Sequence, residues 1–114
     1  MIVLLLEDDP NRIKAFKQRF LDKGWSYDVC HTAQRCLELL DEKRYDIVFL
    51  DHDLGDEQMV STDHSNTGSH VARNWPKDLS TLVIIHSFNP VGAEYMHARI
   101  PGAIRRPGIW AQPF

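Results

Sequence analysis

A chain of 114 residues can bury one core but not two independent ones, so a single domain over residues 1–114 is expected. Hydrophobic residues make up 43% and charged residues 25%, a globular balance that excludes intrinsic disorder. The net charge of -3 excludes an electrostatic case for wrapping a long nucleic acid, whereas a small phosphate ligand or a nucleic-acid end needs only a local cationic or metal site.

Ile2 to Leu6 is a continuous apolar run, the pattern of a central parallel strand covered on both faces, and it stops at Glu7-Asp8-Asp9. The run is too short for a membrane span and lacks the basic leader of a signal peptide. Asp9 followed by Pro10 is a helix start, with Ile13, Phe16 and Phe20 on one apolar face and Gly24 at the end. Trp25 to Cys30 reads as a strand nearer the edge, because Ser26 and Asp28 interrupt it. Thr32 caps a second helix whose buried stripe is Ala33, Cys36, Leu37 and Leu40. Cys30 and Cys36 lack disulfide-framework or zinc-ribbon spacing and read as core thiols, which makes a cytoplasmic location the expectation.

Asp46 to Leu50 is a buried strand that breaks into Asp51-His52-Asp53-Leu54-Gly55. Residues Asp56 to Thr67 form a polar loop, and Gly68 to Trp75 a short helix stopped by Pro76. Thr81 to Ile85 is a fourth strand, ending in His86-Ser87-Phe88-Asn89-Pro90. A helix over Val91 to Arg99 ends at Pro101-Gly102, and Ala103 to Arg106 is a short fifth strand. Gly108 to Phe114 carries no helix pattern. Strands alternating with helices are the signature of an α/β fold with right-handed crossovers.

Parallel strands put their carboxyl ends on one edge, where open α/β sheets bind ligands. Here that edge collects Glu7-Asp8-Asp9, His31, Asp51-His52-Asp53 and His86-Ser87-Asn89. Converging carboxylates repel unless a divalent cation or shared protons offset them, so a magnesium- or manganese-type oxygen site follows. The imidazoles extend the choice to zinc and iron and supply groups able to move protons near neutral pH.

The run Leu4-Leu5-Leu6-Glu7-Asp8-Asp9, the Asp51 strand end, Ser87 after an apolar strand and Arg106-Pro107 near the end together resemble the receiver domain of bacterial response regulators. The Asp-His-Asp and His-Ser elements are similar to the branch called cyclic-phosphate processing receiver domains. The resemblance implies a flavodoxin-like three-layer sandwich with a five-stranded parallel sheet in the order 2-1-3-4-5, here without the last helix. It also implies an acidic pair after the first strand that holds Mg²⁺, an acceptor aspartate at Asp51, and a cation before Pro107. Arg106, with Arg105 beside it, replaces the usual lysine there and is not its equivalent.

The expected site therefore has Asp8, Asp9 and Asp51 around a divalent metal ion, Mg²⁺ or Mn²⁺ with Zn²⁺ as a further choice. His52, His86 and Asp53 are the expected catalytic groups. Ser87, Asn89, Arg105 and Arg106 are expected to bind phosphate; Ser87 lacks the Gly-x-Ser-x-Gly elbow of a nucleophile. The leading reading is a metal-dependent phosphoesterase acting on a cyclic phosphate of a nucleotide or RNA end. The rivals are a signalling receiver phosphorylated on Asp51, which would act through a protein partner, and a degenerate receiver that only binds one.

Overall fold

The computed structural model describes residues 1–54, 64–76 and 81–114. Much of the loop expected over Asp56 to Thr67 lies outside the described residues. The elements are β1 (Ile2–Leu6), α1 (Pro10–Lys23), β2 (Ser26–Cys30), α2 (Ala33–Glu42), β3 (Ile47–Leu50), α3 (Gly68–Arg73), β4 (Leu82–Ile85), α4 (Pro90–Arg99) and β5 (Ile104–Arg105). A single 3-10 turn, Ile109–Ala111, follows β5 where a fifth helix would stand. The five strands are parallel and ordered β2-β1-β3-β4-β5, the flavodoxin-like sheet expected from the sequence.

Strand residues alternate between two cores, because successive side chains leave a sheet on opposite faces. Val3, Leu5, Ile47 and Phe49 meet Phe16 and Phe20 of α1 on one face. Leu4, Leu6, Val48, Leu50, Val83 and Ile85 meet α2, α3 and α4 on the other. Both faces of β1 and β3 are thus covered, which is why their sequences are apolar without alternation.

The helix ends follow local chemistry. Asp9 caps α1 by accepting from Asn11 N at 2.8 Å and Arg12 N at 3.0 Å, and Pro10 occupies the first turn. Gly24 closes α1 at φ 72°, a left-handed conformation that glycine adopts without a Cβ penalty. Asn89 caps α4 through Gly92 N at 3.0 Å.

The C-terminal segment completes the α1 face. The Phe114 ring lies 5.8 Å from Phe49 and 6.2 Å from Phe20, and Arg19 Nε donates to Trp110 O at 3.3 Å. Aromatic packing therefore does the covering that a fifth helix would otherwise provide. Removing residues 109–114 is expected to lower unfolding free energy by roughly 2–4 kcal/mol, the order for two partly buried aromatic side chains. Urea denaturation of the truncated chain checks this; an unchanged midpoint would show that the segment contributes no packing.

Among the described residues, no helix is long and apolar enough to cross a membrane.

Candidate functional site

The sheet ladder runs one residue past the strands, and this builds the site. Asp51 N donates to Leu6 O at 3.2 Å, His86 N to Leu50 O at 3.0 Å, and Arg106 N to Ile85 O at 2.8 Å. Glu7, Asp51, His86 and Arg106 therefore form a row across β1, β3, β4 and β5. Two-residue periodicity places this row on the face of Val3, Phe49 and Ile84, below α1 and the C-terminal segment.

Glu7 is completely buried, as Asp51 is nearly so at 2% exposure. Glu7 Oε2 accepts from Asp8 N at 3.0 Å and Asp9 N at 3.2 Å, and Asp51 Oδ1 accepts from His52 N at 2.9 Å. The remaining oxygens, Glu7 Oε1 and Asp51 Oδ2, have no hydrogen-bond partner among the described residues. The guanidinium of Arg12 approaches them at 3.6 and 3.9 Å and lies 5.2 Å from the Trp110 ring centre.

Burial raises the Glu7 carboxyl above its ordinary range, opposed by the Asp9 and Asp8 N–H groups and by Arg12. Burial, and then the neighbouring Glu7 charge, push Asp51 up to about 8. Two carboxylates held together in low dielectric disfavour double ionisation, and a divalent cation relieves that directly. Glu7, Asp8 and Asp51 each offer one ligand atom within 4.8 Å of the others, so the donor set is the oxygen-rich kind that suits a hard divalent ion.

His86 is fully buried, its ring 4.9 Å from Phe16 and 5.8 Å from Trp110. Its Nδ1 lies 3.8 Å from Glu7 Oε1. Burial lowers its pKa to about 3, so this contact joins a neutral imidazole to a carboxylate and is not an ion pair at neutral pH.

His52 belongs to the opposite face. Its buried ring packs against Gly92 of α4, where an added Cβ would overlap the imidazole. Nδ1 lies 2.9 Å from Asp53 Oδ1, and Asn89 Nδ2 donates to that same oxygen at 3.1 Å. Nδ1 also lies 3.1 Å from Asn89 Nδ2, so the ring tautomer decides whether it donates to Asp53 or accepts from Asn89. Ser87 Oγ accepts from Asn89 N at 3.1 Å. His52, Asp53 and Asn89 thus tie the end of β3 to the start of α4.

Several of the expected site residues stand apart from the carboxylate group. Asp9 stands outside the compact carboxylate group because its side chain caps α1. Glu7 takes its place, and the signal was available: the register pairs Leu6 with Leu50, so the next residues, Glu7 and Asp51, face one another. Arg105 and Arg106 are exposed, and Arg106 Nη1 donates to Arg105 O at 2.8 Å, so neither guanidinium contacts the carboxylates. Arg12, in the first turn of α1, is the cation beside them.

The metal-free protein should lose stability as pH rises between about 6.5 and 8. Asp51 is raised from 3.8 to about 8, so the folded state holds a proton there that the unfolded state has released. That contribution is complete below pH 4 and lost as pH climbs through 8. His86 has the opposite sign, its contribution vanishing as pH falls from 6.5 towards 3, and so adds no slope above 6.5. Urea titrations in chelator at pH 6.5 and 8 measure the effect; a flat or rising profile contradicts it.

A parallel 2-1-3-4-5 sheet with carboxylates at the ends of β1 and β3 defines a receiver-type domain. The chain belongs to the cyclic-phosphate processing receiver domain family, whose model matches residues 2–101. Similar solved structures include a CheY-like response regulator receiver domain from Methylobacillus flagellatus, at 18% identity and TM-score 0.66, covering 97% of this chain and 90% of that one. Another is the response regulator TrrA from Thermotoga maritima, solved in complex with Mg²⁺-BeF, at 17% identity and TM-score 0.67, covering 96% and 89%. At these identities the likeness carries the fold. A comparison with curated proteins found no match.

Proposed function

We propose that this domain is a metal-dependent phosphate-processing enzyme acting on a cyclic phosphate of a nucleotide or RNA end. The observation that carries the reading is the buried pair Glu7 and Asp51, each with an oxygen that accepts no hydrogen bond among the described residues, beside Asp8 at the ligand-binding edge of the sheet. Membership of the cyclic-phosphate processing receiver family supports the substrate class.

Glu7, Asp8 and Asp51 would hold the ion. A bound divalent cation supplies positive charge to phosphoryl oxygens and lowers the pKa of nearby water. Arg12 and Arg106 are the cations available to the remaining phosphate oxygens, Arg12 from α1 and Arg106 from the strand row. Ser87 Oγ accepts from the backbone and keeps its proton to donate. In hydrolysis, water attacks phosphorus and releases a proton to solvent, the bond to one ribose oxygen breaks, and that oxygen takes up a proton, so one water is consumed for each monoester formed. The His52 ring packs against Gly92 and Asp53 on the α4 face, away from the carboxylates, so it acts as a positioning residue and the ribose oxygen takes its proton from solvent. Asp53 holds His52, and Asn89 holds Asp53.

Purified protein with Mg²⁺, Mn²⁺ or Zn²⁺ and a panel of nucleoside 2′,3′-cyclic phosphates should give multiple turnovers, each producing a monoester. A stable phosphoryl adduct on Asp51 from acetyl phosphate, with no turnover of any cyclic phosphate, would replace this reading with a signalling receiver that acts through a protein partner.

A further inference from the structure

We propose that the groove between α1 and the end of β2 binds the phosphodiester strand leading to the reacting end, so that the preferred substrate is an RNA chain end whose upstream phosphates lie on Lys14 and Lys17. The inference rests on the reading of Glu7, Asp8 and Asp51 as a cyclic-phosphate site, and deepens it by assigning a second anion site and the length of substrate it takes.

Asp8 belongs to two surfaces at once. It stands in the carboxylate group with Glu7 and Asp51, and it also lines a groove of about 520 Å³ beside α1. Ile13, Lys14, Lys17 and Leu21 form the helix side of this groove, and His31, just after β2, stands on the other. The lining thus runs from Asp8, before α1, to Leu21, three turns along it. A strand whose terminal phosphate lies at the carboxylates has a continuous path along the helix.

The charge of that path suits a polyanion. Arg12, Lys14, Lys17, Arg19 and Lys23 put five cations on the 14 residues of α1 against the single acid Asp22, in a chain whose net charge is -3. Lys14 and Lys17 are exposed, and among the described residues neither ammonium has a carboxylate within ion-pair distance. Exposed lysines by themselves are ordinarily a solvated face, but these two share the groove that begins at the site. Residues three apart lie on one helix face, and at about 1.5 Å per residue Lys14 and Lys17 stand about 6 and 10 Å along the axis from Pro10. A stacked strand advances about 3.4 Å per nucleotide, so the two ammonium groups meet phosphates about two to three nucleotides from the end. Lysine binds phosphate as a point charge and reads no base, which fits a groove that accepts any sequence. A 2′,3′-cyclic phosphate needs the ribose 2′-oxygen, which restricts the strand to RNA.

Two probes test this on the whole chain with Mg²⁺, Mn²⁺ or Zn²⁺: adenosine 2′,3′-cyclic monophosphate, and the adenosine trinucleotide ending in the same cyclic phosphate. At low salt kcat/KM for the trinucleotide should exceed that for the mononucleotide about tenfold or more. Its logarithm should fall more steeply with the logarithm of salt concentration, by about 1.4 in slope, the value for two further phosphate contacts on a single strand. Joint substitution Lys14→Gln and Lys17→Gln should abolish both differences, whereas Lys23→Gln, outside the groove on the same helix, should keep them. Equal turnover and equal salt slopes for the two probes, or an advantage that survives the joint substitution, would overturn the groove and leave the cyclic-phosphate site standing. If neither probe turns over, calorimetry with the trinucleotide decides. Binding that depends on Lys14 and Lys17 would then overturn the reaction and support the groove as an RNA site, and absence of binding would overturn both.

Discussion

Asp51→Asn is expected to raise the Kd for divalent cations by at least a hundredfold while making the metal-free protein more stable at pH 8. The two effects share one cause. Asp51 is 2% exposed and faces Glu7, so its ionised form is disfavoured by burial and by a like charge. The asparagine keeps an oxygen for the His52 N–H and replaces a repelling oxygen with an N–H donor facing Glu7. We expect a gain of roughly 1–3 kcal/mol at pH 8, shrinking towards pH 5 as the wild-type carboxyl takes up its proton. The corresponding rise in thermal midpoint is about 4 °C per kcal/mol for a domain of this size. Calorimetric titration and thermal melts in chelator read both effects. Unchanged ion affinity would remove Asp51 from the metal site; a lower midpoint would show that its charge is not a source of strain.

Gly68→Ala is expected to destabilise the fold by about 3 kcal/mol or more and to weaken ion binding in whatever remains folded. A Cβ at Gly68 would overlap the backbone carbonyl of Asp51 and the Sδ of Met96. The methionine sulfur can rotate aside, but the carbonyl belongs to the strand end that aims Asp51. Either α3 separates from β3 or Asp51 changes direction, and Gly68 N loses its bond to His52 O at 3.2 Å. Gly24→Ala is the control, because its Cβ meets nothing within 4 Å and the only penalty is its positive φ. If Gly68→Ala melts no lower than Gly24→Ala, close packing of α3 on β3 is not what fixes the strand end.

Much of this architecture was legible in the sequence because its signals are local. The apolar runs of β1 and β3, Asp9-Pro10, Gly24 and Thr32 each place an element boundary within a residue or two of where it falls. The convergence of acids and histidines at one edge followed from parallel topology alone. What the sequence hid was direction. Glu7 and Asp9 flank Asp8 symmetrically in the chain, and only the register with β3 turns Glu7 inward while the start of α1 claims Asp9. His52 and His86 read as equivalent imidazoles at neighbouring strand ends, yet they fall on opposite faces of the sheet. Arg12 was hidden by its helix: a first-turn residue of α1 overhangs the strand ends, which becomes visible once the helix is docked. The aromatic residues of the C-terminal segment lack periodicity because they pack against rings from α1, β3 and the turn before β2, not along one helix face.

Asn89 carries a further consequence. Its side chain presents one atom to the first turn of α4 and another to Asp53, so a single rotamer serves a helix terminus and a strand terminus. Any backbone displacement that carries Asp53 outward must withdraw that rotamer and uncap α4. The end of β3 and the first turn of α4 consequently behave as one mechanical part, with His52 as the spacer that sets their separation.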